Sequence, residues 1–401
     1  MNRKNLELLD IPSDDSQDTE STEDIFNTEL ESLISSYNKC IKINSNNQRE
    51  SEILSLKQNP YLSQLLDYTE DKNKQSDWSY KYIQKSTHLK QINSSKFMPS
   101  SEEGVNIISQ LNLRAEYQIL KLITTTQSHK DLQVNLPKSS KRKENRHLDI
   151  LPYTYNAVSS DETNDIDKYY INASYIDGPF ITDNRMFIAA QGPLKNTINK
   201  FYNMCFYQNT KLIIMLCNFV EIGGKKCEMY LPNELNKEVV IDNTLQIALT
   251  KEEWLISGCL IKREILIRKN GLIKSVTHLQ VVDWMDQYQP NVETADELIK
   301  LLLRAIVESR EVFPNAPIVV HCSSGTGRTG TLIAIFNILK CISFFNLVNT
   351  NKNIPPFFNV FNTVRKLREQ RYGMVSSVEQ YAFIYKFVIE WIQDNAIGFK
   401  K

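Results

Sequence analysis

Between residues 104 and 395 the apolar positions switch between two spacings, and the switches predict most of the elements. Ile107, Ile108, Leu111, Leu113, Tyr117, Leu120 and Ile123 recur at helical spacing. A turn at Ile150-Leu151-Pro152-Tyr153 precedes a predicted strand, Tyr169-Tyr170-Ile171-Asn172-Ala173-Ser174-Tyr175. Phe187-Ile188-Ala189-Ala190 and Leu212-Ile213-Ile214-Met215-Leu216 are apolar runs of strand length. Residues 238–282 hold alternating runs, among them Gln246-Ile247-Ala248-Leu249 and Glu264-Ile265-Leu266-Ile267. Helical spacing returns at 295–309, without Gly or Pro, and again at 331–345, 357–370 and 378–392. Asn349-Thr350-Asn351-Lys352-Asn353 predicts a loop. Helices interleaved with strands predict one α/β-type domain.

Residues 1–98 have a different texture. Nine acidic side chains face two basic ones in the first thirty residues, and Ser, Asn, Gln and Lys dominate afterwards. Such a segment buries too little apolar area to offset its ordering entropy, so a largely disordered regulatory arm is expected before a catalytic domain at 99–398. Two stretches of the arm stand apart. Ile25, Phe26, Leu30, Leu33, Ile34, Tyr37 and Ile41 share one helical face, suited to the protein's own surface or to a partner. Arg3-Lys4-Asn5-Leu6-Glu7-Leu8 sets a basic pair ahead of alternating leucines.

Charge and cysteine usage narrow the class. Lys+Arg and Asp+Glu both number 47, so the net charge is zero, which argues against broad nucleic-acid binding. The N-terminus lacks the apolar run of a secretory signal. The most apolar long stretch, 331–348, is broken by Asn337, Lys340 and Asn346, and predicts a buried helix rather than a membrane span. Seven scattered cysteines without a CxxC pair fit a reducing compartment and argue against a disulfide scaffold or a zinc site. The expectation is a monomeric protein of the cytoplasm, with the nucleus as a second location, needing no metal or cofactor and no membrane.

The chemistry concentrates in His321-Cys322-Ser323-Ser324-Gly325-Thr326-Gly327-Arg328-Thr329-Gly330. Ile318-Val319-Val320 before it predicts a buried strand, and the apolar run from Thr331 predicts a helix. Strand, tight loop and helix N-terminus form the geometry in which successive backbone N–H groups converge on an anion. Gly325 and Gly327 permit the backbone angles of such a loop. Cys322 sits where those dipoles lower a thiol pKa. Arg328 can fork two N–H bonds onto phosphoryl oxygens. A thiolate nucleophile in a phosphate cradle is the equipment for phosphoester cleavage through a phosphocysteine.

Further motifs, in order along residues 104–395, resemble the protein tyrosine phosphatases of the Cys-x5-Arg type. They are Asn145-Arg146-His147-Leu148-Asp149-Ile150-Leu151-Pro152-Tyr153, Tyr170-Ile171-Asn172-Ala173-Ser174-Tyr175-Ile176 and Ala190-Gln191-Gly192-Pro193. Lys226-Cys227-Glu228-Met229-Tyr230-Leu231-Pro232, Trp284-Met285-Asp286 and Gly373-Met374-Val375-Ser376-Ser377-Val378-Glu379-Gln380-Tyr381 follow. The resemblance implies an α+β fold, a central, highly twisted mixed sheet flanked by helices, with the Cys322 loop between a strand and a helix. It implies that Cys322 attacks phosphorus while Arg328 and the amides of Ser323, Ser324, Gly325, Thr326 and Gly327 hold the oxygens. Asp286, beside Trp284 of the mobile acid loop, would protonate the leaving tyrosyl oxygen and then take a proton from water. By the same resemblance Thr329 eases departure of the sulfur, His321 orients the loop, and Glu221 fixes the Arg328 fork. Lys226 lies beside the active site, Asp149 grips a peptide backbone, His147 meets the substrate ring, and Gln380 belongs to the late glutamine loop. Residues 3–8 resemble peptides that dock on MAP kinases, and an arm before a C-terminal phosphatase domain is similar to fungal enzymes directed at those kinases.

Three positions depart from the family pattern. Met285 replaces the proline of the acid loop, which pre-sets backbone angles. His147 replaces a tyrosine that stacks on the substrate ring. Ser376 replaces the first glutamine of the late loop, which positions the hydrolytic water. An active phosphatase with slowed release of Cys322 is expected; a weakened phosphotyrosine-binding module is the alternative. Residues 323–327 contain no basic side chain, which disfavours a lipid headgroup substrate.

Overall fold

The computed structural model describes residues 113–124, 132–134, 142–163, 165–291, 294–348 and 360–398. The expected arm, with residues 3–8 and 25–41, lies outside them. The centre of the fold is set by three apolar runs with no polar face. Strands β3 (Phe187–Ala190), β4 (Leu212–Met215) and β11 (Ile318–His321) are buried at every position. Strand β11 pairs in parallel with β3 on one side and β4 on the other. Parallel strands buried on both faces read in this way as continuous apolar runs.

Antiparallel wings complete the sheet. On one side lie β1 (Ala157–Ser159) and β2 (Tyr170–Ile176), paired with β3 through β2. On the other, β10 (Leu272–Val281) runs parallel to β4. Then come β9 (Leu260–Lys269), β8 (Leu245–Ile256) and β7 (Glu238–Val240), giving the order β1-β2-β3-β11-β4-β10-β9-β8-β7. Strand β9 alternates buried and partly exposed positions, as a half-solvated strand should. Its turn into β10 is Asn270-Gly271, both at positive φ (49° and 77°), the backbone a two-residue hairpin requires. Strands β5 (Val220–Glu221) and β6 (Gly224–Lys225) form a separate small hairpin.

The described helices are α1 (Leu113–Thr124), α2 (Ile198–Tyr207), α3 (Ala295–Val312), α4 (Gly327–Val348), α5 (Val360–Gln370) and α6 (Val378–Gly398). Helix α4 packs on α5 and α6, and α1 packs on those same two. The expected mixed sheet with flanking helices is therefore present. The apolar stretch read as a buried helix is helical and buried as far as Leu339, while Lys340 and Cys341 are half-buried and Ser343 is exposed. No described helix is long and apolar enough to cross a membrane. The differences from expectation are at the ends: α3 continues to Val312 and α6 to Gly398. Helix α4 begins inside the Cys322 loop, at Gly327, which puts Arg328 on its first turn.

Gly325 is where the loop meets the sheet. Its φ is +71°, and a Cβ there would lie 2.1 Å from the Ala190 carbonyl oxygen at the end of β3. Gly325→Ala should therefore lower stability by on the order of 3 kcal/mol through strain and clash combined. Thermal melting of the purified variant checks this; an unchanged Tm would show that the loop can move away from β3.

Candidate active site

Residues 322–326 turn between β11 and α4, and every carbonyl on the outside of the turn has a donor. His321 Nδ1 lies 3.2 Å from Cys322 O. Gly192 N–H donates to Ser323 O at 2.9 Å. Arg371 donates Nη2 to Ser324 O at 3.0 Å and Nε to Gly325 O at 2.9 Å. Thr326 O accepts from Gly330 N–H at 2.8 Å and Val375 N–H at 3.2 Å. With its carbonyls engaged outward, the turn directs N–H groups inward. Those of Thr326 and Thr329 donate to the Cys322 sulfur. Arg371, fully buried, also reaches Asn172 Oδ1 (2.8 Å) and Ser174 Oγ (3.1 Å), so it ties the loop to β2.

The electrostatics favour a thiolate. Burial raises the Cys322 pKa, but the Arg328 charge, the Thr329 hydroxyl and the two amides outweigh it, and the result lies below the ordinary thiol value. The Thr329 hydroxyl is buried beside the sulfur and adds to the lowering of its pKa. Elsewhere burial wins: it pushes Cys205 and Cys217 up, and Cys227 to about 12. The six described cysteines are free thiols; burial raises Cys259 as well, whereas Cys322 is lowered.

Arg328 is fully buried on the first turn of α4. It donates Nη1 and Nη2 to the two carboxylate oxygens of Glu221 at 2.7 and 3.2 Å, a bidentate fork. Nη1 also donates to Trp284 O at 2.6 Å, and Nη2 lies 3.4 Å from Asp286 Oδ1. The Trp284 ring is buried and its Nε1–H donates to Tyr288 O at 2.9 Å, anchoring the segment that carries Asp286. Lys226 Nζ donates to Asp286 Oδ2 at 2.7 Å. Burial raises the Asp286 pKa, but Lys226 and the Arg328 charge more than offset it and hold the carboxyl below its usual range. Lys226 thus pairs directly with the Asp286 carboxylate.

His321, beneath the loop, is buried and neutral at pH 7. Burial is the largest cause and brings its pKa to about 4. Its Nε2 lies 2.8 Å from Tyr230 Oη, which in turn lies 2.7 Å from His278 Nε2. The segment around Asn145 is fastened to the Gln191-Gly192-Pro193 turn. Gln191 Oε1 accepts from Arg146 N–H at 2.9 Å, and Arg146 Nη2 donates to Gly192 O and Pro193 O, both at 3.2 Å. His147 and Asp149 follow on exposed backbone. Gln380 is fully buried, and its Oε1 accepts from Ser376 N–H at 3.0 Å. A Cβ on Gly327 would lie 3.0 Å from both ends of the Gln380 amide, so that amide packs directly on the Cys322 loop.

Residues 141–390, more than half of the chain, match the family model for protein-tyrosine phosphatases. The chain belongs to the protein-tyrosine phosphatase family. Human receptor-type tyrosine-protein phosphatase C is 36% identical over 253 residues, 62% of this chain and 18% of that protein. Rat tyrosine-protein phosphatase non-receptor type 20 is 35% identical over 255 residues, 63% of this chain and 55% of that protein. The chain thus spans from under a fifth to about half of these relatives. The crystal structure of the catalytic domain of human protein tyrosine phosphatase non-receptor type 18 superposes with a TM-score of 0.60 at 25% identity, covering 73% of this chain and all of that one. The same phosphatase with HER2 phosphopeptides gives 0.59 at 28% identity, covering 69% of this chain and 98% of that one.

Within this phosphatase domain, Cys322, Arg328, Asp286, Glu221, Lys226, Trp284, Thr329 and Gln380 converge. Arg371, which holds the loop from outside, had no signal in the sequence beyond being an arginine next to the late loop. The electrostatic assignment sets a test. Iodoacetate should alkylate Cys322 well below the ordinary thiol range, the rate falling as pH drops through the lowered pKa. Arg328→Met should move that inflection upward, and a wild-type inflection at or above pH 9 would contradict the assignment.

Proposed function

We propose that this chain hydrolyses phosphotyrosine in proteins through a phosphocysteine intermediate. The reading rests on one observation: buried, unpartnered donors accompany the activated thiol of Cys322. Arg328 Nε and Gln380 Nε2 are both buried and without hydrogen-bond partners among the described residues. Buried polar groups are ordinarily satisfied, and an anion is the ligand that such donors suit. Cys322 Sγ attacks phosphorus in line while Arg328 and the inward amides take up charge on the equatorial oxygens. The tyrosyl oxygen leaves as it receives the Asp286 proton. Asp286 is held ionised in the resting protein by Lys226 and Arg328. A phosphoryl dianion against Arg328 offsets that positive charge and lifts Asp286 toward its acid form. In the second step Asp286 accepts a proton from water, which attacks phosphorus and releases Cys322. Asp149, exposed two residues after His147, suits the backbone N–H groups of a peptide.

Met285 and Ser376 place the burden of this reaction on its second half. Wild type should release a burst of aryl product stoichiometric with enzyme, followed by a slower steady state, and Ser376→Gln should raise the steady rate several-fold. Cys322→Ser should abolish both phases. Equal background rates for wild type and Cys322→Ser would support a phosphotyrosine-binding module instead.

The substrate class we favour is a MAP kinase, in a signalling role similar to that of fungal enzymes, with the protein acting in the cytoplasm and the nucleus. Its support is the Arg3-Lys4 pair and the Leu6/Leu8 alternation alone. Deleting residues 1–12 should weaken affinity for such a kinase at least tenfold in a titration; unchanged affinity removes it as docking partner.

A further inference from the structure

Ser377 precedes α6 and its hydroxyl makes two bonds to different parts of the site. It accepts from the Gln380 N–H at 3.2 Å, capping the helix that carries Gln380. It also donates to the Gln287 carbonyl at 2.6 Å, ninety residues away in sequence and directly after Asp286. Gln287 sits at φ +64°, a region that residues other than glycine seldom occupy. Such a conformation persists where surrounding contacts hold it. The segment has no proline at Met285 to restrict its backbone, and the Met285 side chain is 55% exposed, so it contributes little packing.

We propose that Ser377 is a positioning residue whose hydroxyl clasps the acid segment to the cap of α6. The clasp rests on the phosphatase reading above and makes Asp286 and Gln380 parts of one unit. Asp286 is then held against Arg328 both as acid, when the tyrosyl oxygen leaves, and as base, when water attacks. Ser377 itself contacts neither the sulfur nor Arg328 in the hydrogen-bond network described above. It acts through the Gln287 backbone, replacing with a hydrogen bond the restraint a proline ring would supply.

Glycine is nearly as good an N-cap as serine, so Ser377→Gly removes the donor while largely sparing the helix. Ser377→Thr keeps a hydroxyl. Values of kcat/KM, which report transfer to Cys322, are compared for a phosphotyrosine peptide and for 2,4-dinitrophenyl phosphate, whose leaving group needs no proton. Ser377→Gly should lose about fivefold on the peptide, the worth of one hydrogen bond, and less than twofold on the dinitrophenyl ester. Ser377→Thr should restore the wild-type ratio. Wild-type ratios in the glycine variant, or a parallel fall on both substrates, would overturn the clasp and leave the phosphatase reading intact. A wild type inert toward both substrates removes that reading, and the clasp with it.

Discussion

A buried negative charge must be matched locally, and in this protein that requirement falls on one sulfur atom. Cys322 sits at the end of the central strand β11, where burial alone would keep the thiol protonated. Arg328, Thr329 and two loop amides reverse that preference. Arg328 is itself a buried charge, and Glu221 neutralises it from the small β5–β6 hairpin. The same guanidinium reaches the Trp284 carbonyl and the Asp286 carboxylate, so that carboxylate is positioned by the counter-ion of the sulfur. One requirement thus recruits residues from a strand, a hairpin, a loop and a helix.

The outer side of the loop follows the same logic. Amides can point inward only if carbonyls are satisfied outward. Arg371 meets much of that need, and its second set of bonds, to Asn172 and Ser174, carries the loop's position into β2. The late loop is fastened comparably. Val375 has φ +57°, unusual for a β-branched residue. Its carbonyl accepts from Tyr117 Oη at 3.1 Å and Arg368 Nη2 at 2.8 Å. Helix α1 is therefore joined to the segment that presents Gln380.

Much of this was legible in the sequence where one residue type has one use. The buried parallel strands read as apolar runs, and the spacing of Cys322, the loop glycines and Arg328 read as a phosphate cradle. Resemblance then supplied Asp286, Glu221 and Gln380, which no local pattern distinguishes from surface residues. What stayed hidden depends on long-range geometry. Arg371 looks like any helix-terminal arginine until its two loop carbonyls are seen. Ser377 looks like an ordinary cap until Gln287, ninety residues earlier, arrives beside it. The inward start of α4 at Gly327 was hidden as well, because glycine is a weak helix signal.

The central position of β11 has a consequence for how the reactive thiol comes into existence. Ile318 pairs with Phe187 and Val319 with Ile213, so β11 is inserted between two strands that precede it by more than a hundred residues. Such pairings close long loops and form late relative to local contacts. Arg328 and the donor amides are close to Cys322 in sequence, but the carbonyls that orient the loop are held by Gly192, Arg371 and Val375 from distant parts of the chain. The shape of the loop around the sulfur is therefore a property of the completed domain rather than of the Cys322 segment alone.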